Sequence, residues 1–277
     1  MRKVIDFNEI NQAVVRIKNY KKKLVTNFYP NTEKNKIWIA EGQFYIIELG
    51  EVIYFLKKKT NFYTVFFIAS SNEELAKSLP KLMKEFGEEN LILDIVQREE
   101  TSELLDIFYN QSFNYYTSLV RMNRLNSRKD FSPVAITNVK DIQDASIKHI
   151  TSLHNLFQIF FDEKAEQLPE EKELRNWIEN KNVLIYEEEN KIGGFLIYEI
   201  IGSTLYLRYW FVHPDFREKK IGSKLFNIFE SRGRATNRHL FWVIKSNENA
   251  IKRYKHYGFV EEKMYNFVLT NKMIKYE

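Results

Sequence analysis

The sequence passes from a strand through a short basic turn into a helix at residues 210–225, Trp210-Phe-Val-His-Pro-Asp-Phe-Arg-Glu-Lys-Lys-Ile-Gly-Ser-Lys-Leu225. Pro214 supplies no N–H group and fixes its own φ, so it ends the strand. The helix then begins with amide groups that have no partner inside the helix, and these amides bind phosphate well. Gly222 permits a close approach of the backbone. Positive charge comes from Arg217, Lys219 and Lys220. The stretch predicts a pyrophosphate-binding turn, although taken alone it is also an ordinary strand, turn and helix.

Length and composition limit the class of protein. The chain has 277 residues, of which 44% are apolar and 29% are charged, which is typical of a globular protein with one large domain or two of ordinary size. It contains no cysteine. Disulfides, thiolate metal sites and a cysteine nucleophile are therefore excluded, and we expect no metal.

Charge and hydropathy indicate where the protein works. The net charge of +5 fits either a polyanionic partner or a lysine-rich surface. Because no block of five or more like charges occurs, we expect no nucleic-acid partner. No apolar run reaches the ~18 residues that a membrane span needs, and residues 1–8 do not resemble a signal peptide. We therefore expect a cytoplasmic protein with no membrane partner, and the oligomeric state stays open.

The pattern of apolar residues predicts two halves with the same order of elements. In the first half it predicts these helices and strands: helix 7–19, strands Ile37–Ala40, Phe44–Leu49, Val52–Leu56 and Phe62–Ile68, helix 75–86 kinked or split at Pro80, strand Leu91–Val96, helix Ser102–Tyr109 and strand Phe113–Met122. Residues 123–133 are polar and contain a Ser-Pro pair. We therefore predict domains at 1–125 and 131–277.

The second half repeats this order. Its predicted elements are a strand at Val134–Ile136, helices at 141–161 and 170–180, strands at Val183–Tyr186, Gly194–Ile201 and Leu205–Val212, a helix at 222–232, a strand at His239–Ile244, a helix at 248–256 and a strand at Glu262–Leu269. Gly193 and Gly194 predict a bulge or a close approach of two segments. The fold class is therefore α/β, with two domains that each have a mostly antiparallel sheet flanked by helices.

A second motif follows at Asn247-Glu-Asn-Ala-Ile-Lys-Arg-Tyr254-Lys-His-Tyr-Gly258-Phe259, a short helix that ends at a glycine. With the first motif it resembles the GNAT superfamily of acyl-CoA-dependent N-acyltransferases. The family's pyrophosphate pattern, Q/R-x-x-G-x-G/A, is matched at Arg217 and Gly222, with Lys220 in place of its first glycine. The later pattern, N-x-x-A-x-x-x-Y-x-x-x-G-F, is matched at every defined position. The resemblance covers residues 131–277.

The resemblance implies roles for particular residues. The strand with Phe211 and Val212 would splay from its neighbour and offer its backbone to pantetheine, and Tyr254 would protonate the leaving thiolate, although Tyr254 also fits a core position. Asn247 would contact the cofactor arm. The other residues implied in acetyl-CoA binding are Arg217, Glu218, Lys219, Lys220, Ile221, Gly222, Ser223 and Asn249. We expect Lys220 to have a negative φ, so that it causes little strain.

The amine must lose a proton before it attacks, so a base or a water chain is needed. Glu199 is the candidate base, and a solvent-facing position on an alternating strand is the other interpretation of it. The first half resembles a degenerate GNAT-like domain, since Phe62–Ile68 is followed by Glu73 and Glu74 where phosphate would bind.

The implied function is an N-acetyltransferase that moves an acetyl group from acetyl-CoA to a primary amine by direct attack in a ternary complex. The acceptor would be a small molecule or a peptide, chosen by loops such as residues 161–169. The alternatives are a tandem-GNAT acyl or aminoacyl transferase with a larger donor, and a non-catalytic CoA-binding regulatory protein.

Overall fold

The computed structural model describes residues 1–20, 23–126 and 141–272. The chain divides into two compact units. The first unit consists of Met1–Ser118 with Met264–Glu277, and the second unit is Leu119–Lys263. Each unit has a mixed but mostly antiparallel sheet with helices packed on it, so the predicted fold class is confirmed.

The first unit begins with short elements and builds its sheet from the middle of the chain. Its helices are α1 (Phe7–Lys18), α2 (Thr32–Ala40), α3 (Asn72–Phe86) and α4 (Glu103–Tyr109). Its strands are β1 (Arg2–Lys3), β2 (Val25–Thr26), β3 (Phe44–Leu49), β4 (Val52–Lys58), β5 (Tyr63–Ala69), β6 (Leu91–Gln97), the start of β7 (Asn114–Leu125) and residues 264–270 of β13 (Val260–Thr270).

The sheet of the first unit has the strand order β1-β3-β4-β5-β6-β13. Its neighbours are antiparallel except for β5 and β6, which are parallel. Central strands such as β4 are buried on both faces of the sheet. Both faces therefore carry apolar side chains. Tyr54 and Phe67 pack with α3 and α4, while Phe44 and Phe55 pack with α1 and α2.

The second unit contains the residues that the sequence singled out. Its helices are α5 (Ile150–Phe160), α6 (Glu171–Glu179), α7 (Ile221–Arg232) and α8 (Glu248–His256). Its strands are residues 119–125 of β7, β8 (Ile142–Asp144), β9 (Val183–Glu188), β10 (Lys191–Ile201), β11 (Thr204–Val212), β12 (Arg238–Ile244) and the start of β13.

The sheet of the second unit has the order β7-β12-β11-β10-β9-β8, and only β11 and β12 are parallel among its paired neighbours in the described ranges. Phe157 of α5 and Trp177 of α6 pack on one face, against Phe195 and Ile197 of β10. On the other face Phe229 of α7 packs against Tyr198 of the same strand. The alternation along β10 therefore separates the two faces.

The compact units do not follow the predicted division at 1–125 and 131–277. Residues 119–125 pair with β12 and lie in the second unit, whereas residues 265–270 pair with β6 and lie in the first. The physical reason is strand pairing between segments far apart in the sequence, which composition does not reveal. Part of the predicted linker, residues 127–133, and the predicted strand at Val134–Ile136 lie outside the described residues.

Two local predictions differ from the structure, and a third is decided in part. Ile37–Ala40 belongs to helix α2 and is not a strand, because Asn31 caps that helix by accepting the Lys34 N–H at 2.9 Å. Ile142–Asp144 is a strand and not part of a helix, since it pairs with β9. Helix α3 continues as one helix past Pro80, so the predicted split is absent and the kink stays a prediction.

None of the helices in the described ranges has the length and apolar character that crossing a membrane requires.

Candidate active site

The central strands β11 and β12 separate part-way along their length. Among the described residues they pair in parallel from Thr204 with Arg238 to Tyr206 with Leu240 and no further. Beyond these rungs β12 continues along β7, and β11 continues along β10. The two strands therefore splay apart, and one backbone edge of residues 207–212 faces the gap. A splay of this strand is what the resemblance implied.

A β-bulge lies at the point where the gap opens. Ile197 is opposite Tyr209, whereas the next residue, Tyr198, is opposite Leu207. Arg208 is therefore the extra residue on β11. Bulges turn a strand and change the direction of its side chains, so the bulge sets how the last residues of β11 are presented beside the gap.

Trp210 lies on the α7 face of β11 and is enclosed by aromatic rings. Its ring centroid is 5.2 Å from that of Phe226, 5.7 Å from that of Tyr254 and 6.1 Å from that of Tyr257. Its indole Nε1 is buried and has no hydrogen-bond partner in the described part of the chain. A buried N–H without a partner is rare in proteins, and here it lies beside the gap.

The turn after β11 presents the start of α7. A 3₁₀ helix, Pro214–Lys219, begins where Nδ1 of His213 accepts the Asp215 N–H at 3.3 Å, and it leads directly to α7. No side chain caps α7 with a hydrogen bond. The first amides of a helix have no partner inside it and carry the positive end of its dipole. Here they belong to Ile221, Gly222 and Ser223.

Two adjacent glycines let this turn pack closely on β10, as the sequence predicted. A Cβ on Gly193 would lie 2.8 Å from Cδ1 of Phe216, and one on Gly194 would lie 3.0 Å from the carbonyl oxygen of Phe211. Ile221 is fully buried, and its Cγ2 would also be 3.0 Å from a Cβ on Gly194. The side chain of Ile221 therefore anchors the turn and leaves its amide as the group that a ligand could meet.

Lys220 has the opposite backbone conformation to the one expected. Its φ is 55° and its ψ is 25°, in the left-handed region, so the prediction of a negative φ is wrong. The chain reverses direction there, between the 3₁₀ helix and α7, and this requires a left-handed residue. Such a conformation costs a residue with a Cβ roughly 1–2 kcal/mol.

Replacing Lys220 with glycine should therefore stabilise the protein. Glycine removes the Cβ strain but adds about 0.4–1 kcal/mol of chain entropy to the unfolded state, so a net gain of about 0.5–1 kcal/mol is expected in thermal or urea unfolding. Lys219→Gly is the control, because Lys219 has a negative φ and bonds Glu188. Equal losses of stability in both variants would contradict the strain.

The cationic side chains of the turn differ in whether they already form an ion pair with a carboxylate. Nζ of Lys219 is 2.5 Å from Oε2 of Glu188, and this hydrogen bond, with a second from Tyr186, lowers the pKa of Glu188. Arg217 is exposed and forms no ion pair with any described residue. Glu218 is exposed beside it. Lys220 is also exposed and forms no ion pair with a described residue. Arg217 and Lys220 are thus the cations of this turn that are free to meet an anion.

The second motif forms α8 and the turn after it. Asn247 caps the helix, since its Oδ1 accepts the Ala250 N–H at 3.1 Å. Asn249 is exposed in the first turn. Gly258 has a φ of 80°, and a Cβ there would lie 3.3 Å from Cδ of Arg124. The start of α8 is thus explained by the hydrogen bond of Asn247, and its end by the positive φ of Gly258. Ser223 Oγ lies 3.2 Å from the hydroxyl of Tyr257, which joins α7 to the end of α8.

Tyr254 bridges the two strands of the gap. Its ring centroid is 4.3 Å from that of Phe241 on β12 and 5.7 Å from that of Trp210 on β11. Burial raises the pKa of the Tyr254 hydroxyl above its ordinary value, while the charge of Arg253 lowers it and the charge of Glu166 raises it by a smaller amount. The hydroxyl therefore keeps its proton at neutral pH.

Glu199, the predicted base, is paired with a neighbour. It lies opposite Tyr206 on the adjacent strand, at the last rung before the gap. Its carboxylate forms an ion pair with Arg208, the bulge residue. Glu199 is thus at the near end of the gap and already has a cation as partner.

Sequence reasoning missed Glu166, which lies in the loop between α5 and α6. Burial raises the pKa of its carboxyl group, against the effect of the Asp162 N–H, which donates to Oε2 at 3.0 Å. The hydroxyl of Tyr209 donates to the backbone carbonyls of Glu166 and Gln167 at 3.1 and 3.0 Å and so ties the loop to β11. No motif surrounds Glu166, although its loop had been singled out as one that selects the acceptor.

The first unit differs at the corresponding place. Helix α3 starts three residues after the end of β5, and Ser71 caps it by accepting the Glu74 N–H at 3.2 Å. Glu73 and Glu74 occupy its first turn. The start of α3 therefore carries its own cap and two carboxylates, in contrast with the uncapped start of α7.

The sequence of the second unit matches a known family. Residues 150–259 match the model of the acetyltransferase (GNAT) family. This range contains α5 to α8, the gap between β11 and β12, the turn before α7 and Tyr254. No curated protein sequence gives a significant match to the chain.

Solved structures resemble the whole chain. The acetyltransferase from the GNAT family of Colwellia psychrerythraea is 12% identical, with a TM-score of 0.57 over 97% of this chain and 98% of that one. The GCN5-related N-acetyltransferase of Sphaerobacter thermophilus is 10% identical, with a TM-score of 0.54 over 97% and 94%. A tandem GNAT protein from the clavulanic acid biosynthesis pathway is 8% identical, with a TM-score of 0.60 over 99% of each chain. Identities this low speak for the fold alone. The chain therefore carries an acetyltransferase (GNAT) family domain at residues 150–259 and has the fold of tandem GNAT proteins.

Proposed function

We propose that the second unit binds acetyl-CoA and transfers its acetyl group to a primary amine by direct attack in a ternary complex. The observation that carries this proposal is the gap between β11 and β12 beside the uncapped start of α7. An open strand edge can bond the amides of pantetheine, while a helix N-terminus suits a pyrophosphate. The two features are adjacent in the chain and in the unit.

The residues present fit acyl-CoA. The amides of Ile221, Gly222 and Ser223 with the free Arg217 would hold the pyrophosphate, and the backbone of residues 207–212, including Phe211 and Val212, would hold the pantetheine arm. The buried Nε1 of Trp210 is a donor without a partner beside this path. When bound, acetyl-CoA supplies a thioester carbonyl that an amine can attack.

The remaining steps belong to side chains of this unit. Tyr254 holds a proton at its hydroxyl, where it would protonate a departing thiolate. Phe241 and Trp210 pack against the ring of Tyr254 and hold it in place. Holding the two reactants in the right geometry can lower the barrier of such a reaction by about 7–11 kcal/mol.

A base must accept the proton of the ammonium acceptor. We assign this role to Glu166 in preference to the predicted Glu199. Burial already favours the protonated form of Glu166, and its charge acts on Tyr254. Glu199 is bound by Arg208 instead. A base with a raised pKa is matched better to proton transfer near neutral pH.

Acetyl-CoA should raise the melting temperature of the protein. At a ligand concentration of 100 times Kd the stabilisation is about 2.7 kcal/mol, which corresponds to roughly 5–10 °C for a chain of this size. Arg217→Glu should reduce the shift to about half or less, because a carboxylate would replace the cation that meets the pyrophosphate. Calorimetric titration would then show an affinity lower by roughly 10- to 100-fold.

Arg234→Glu is the matched control, since Arg234 is an exposed arginine just beyond the other end of α7 and should leave the shift unchanged. A wild-type protein that shows no shift with millimolar acetyl-CoA would overturn the proposal. Binding without thiol release across a broad amine panel would instead favour a non-catalytic CoA-binding protein. Tighter binding of a longer acyl-CoA would favour a larger donor.

A further inference from the structure

The parallel strands of the first unit also splay apart. Within the described residues, β5 and β6 pair at Tyr63 with Leu91 and at Thr64 with Ile92, and then they separate. This is the same short parallel contact that β11 and β12 make in the second unit. The backbone groups of β5 and β6 beyond Thr64 need other partners if they are to stay buried without loss of stability.

One side chain bridges these two strands. Nδ2 of Asn27 donates to the carbonyl of Val65 on β5 at 3.1 Å and to the carbonyl of Asp94 on β6 at 3.0 Å. Oδ1 of the same side chain accepts the N–H of Phe67 at 2.7 Å. The carboxamide of one residue thus forms hydrogen bonds to both strands at the gap. Its N–H groups donate and its oxygen accepts, as the groups of a ligand amide would.

The residues beside Asn27 hold it in place. Strand β2 pairs antiparallel with the end of β5, at Ala69 and Ile68. Oγ1 of Thr26 donates to the Phe67 carbonyl at 2.6 Å. Phe28 is 5% exposed, and its ring centroid is 4.7 Å from that of Phe55. The segment 25–28 is therefore anchored by backbone pairing, by a hydroxyl and by a buried ring.

We propose that residues 25–28 are a built-in occupant of the gap between β5 and β6, which closes the first unit to acyl-CoA. The amide of Asn27 takes the backbone bonds that a pantetheine amide would need. The capped start of α3, with Glu73 and Glu74, offers no place for a pyrophosphate. One chain therefore takes up one acyl-CoA. That number rests on the function proposed for the second unit, whereas the occupied gap does not.

Hydrogen exchange at the Phe67 amide tests the occupied gap directly. In Asn27→Ala this amide loses its acceptor, so its exchange should be at least about tenfold faster than in the wild-type protein. Thr26→Val removes one hydroxyl at nearly constant volume and should give a smaller increase in the exchange rate of the Phe67 amide. This variant provides the test if Asn27→Ala does not fold. Asn8→Ala, on the exposed side of α1, is the control and should change nothing. Unchanged exchange in both Asn27→Ala and Thr26→Val would overturn the proposal.

Calorimetric titration with acetyl-CoA tests the consequence. The expected stoichiometry is one per chain, in the wild-type protein and in Thr26→Val, with no change in Phe67 exchange on binding. Two molecules per chain, or faster Phe67 exchange with acetyl-CoA, would mean that residues 25–28 are displaced by ligand and would overturn the proposal. Absence of any binding would refute the function of the second unit, and the exchange experiment would still decide the occupancy of the gap.

Discussion

Arg124→Met should destabilise the protein by about 3–5 kcal/mol, because it removes the arginine partner of a buried carboxylate and leaves that carboxylate with His239 alone. The Arg124 side chain is 4% exposed and forms an ion pair with Glu230, whose side chain is 7% exposed. Its other terminal nitrogen donates to the carbonyl of Tyr257 at 2.7 Å, and its guanidinium lies 4.8 Å from the centroid of the Phe259 ring. The measurement is the midpoint of urea or thermal unfolding.

Two further variants separate this explanation from a general loss of packing. Arg232→Met removes a surface ion pair with Asp144 and should cost less than about 1 kcal/mol. Combining Arg124→Met with Glu230→Leu should recover part of the loss, since the buried carboxylate is then gone, while the buried His239 loses both of these partners. Two results would show that the buried charge is not the cause. One is an Arg124→Met variant that loses no more stability than Arg232→Met, and the other is a double variant that is no more stable than Arg124→Met.

The contact of Arg124 with the end of α8 could not be predicted from the sequence. The helix stop at Gly258 and Phe259 was readable as a local motif, and so was the cap at Asn247. The partner that holds this stop is Arg124, which is 133 residues from Tyr257 in the sequence. A contact of that separation leaves no periodicity or spacing to detect, so it needs the fold.

The division into units follows the same logic. The order of elements within each half was predictable because apolar periods and turn residues act locally. The exchange of strands was not, since residues 119–125 and 264–270 look like any other strand and their pairing depends on the completed sheets. The φ of Lys220 was mispredicted for a different reason. The turn between the 3₁₀ helix and α7 requires a left-handed residue, whichever side chain that residue carries.

Tyr254→Phe should lower the turnover number by about 10²- to 10⁴-fold, the usual contribution of a positioned proton donor. The affinity for acetyl-CoA should stay within about twofold, since the ring that packs on Trp210 and Phe241 is kept. The assay is thiol release with an amine found by screening. Tyr198→Phe is the control, because its buried hydroxyl donates to the Lys181 carbonyl and takes no part in the proposed chemistry. Equal turnover in Tyr254→Phe and wild type would refute the role.

The pH dependence of the same reaction distinguishes the acid from the base. Burial raises the pKa of Tyr254, so this residue should cause no loss of turnover at pH 7–9, and it fails as a donor only where it ionises. A base works when it is deprotonated, so turnover should rise with pH through the pKa of Glu166, which burial places above its ordinary value. Glu166→Gln should remove that rise, while Glu199→Gln should keep it. The reverse result would return the role of base to Glu199, because Gln at either position keeps the shape of the side chain and removes only its charge and its capacity to accept a proton.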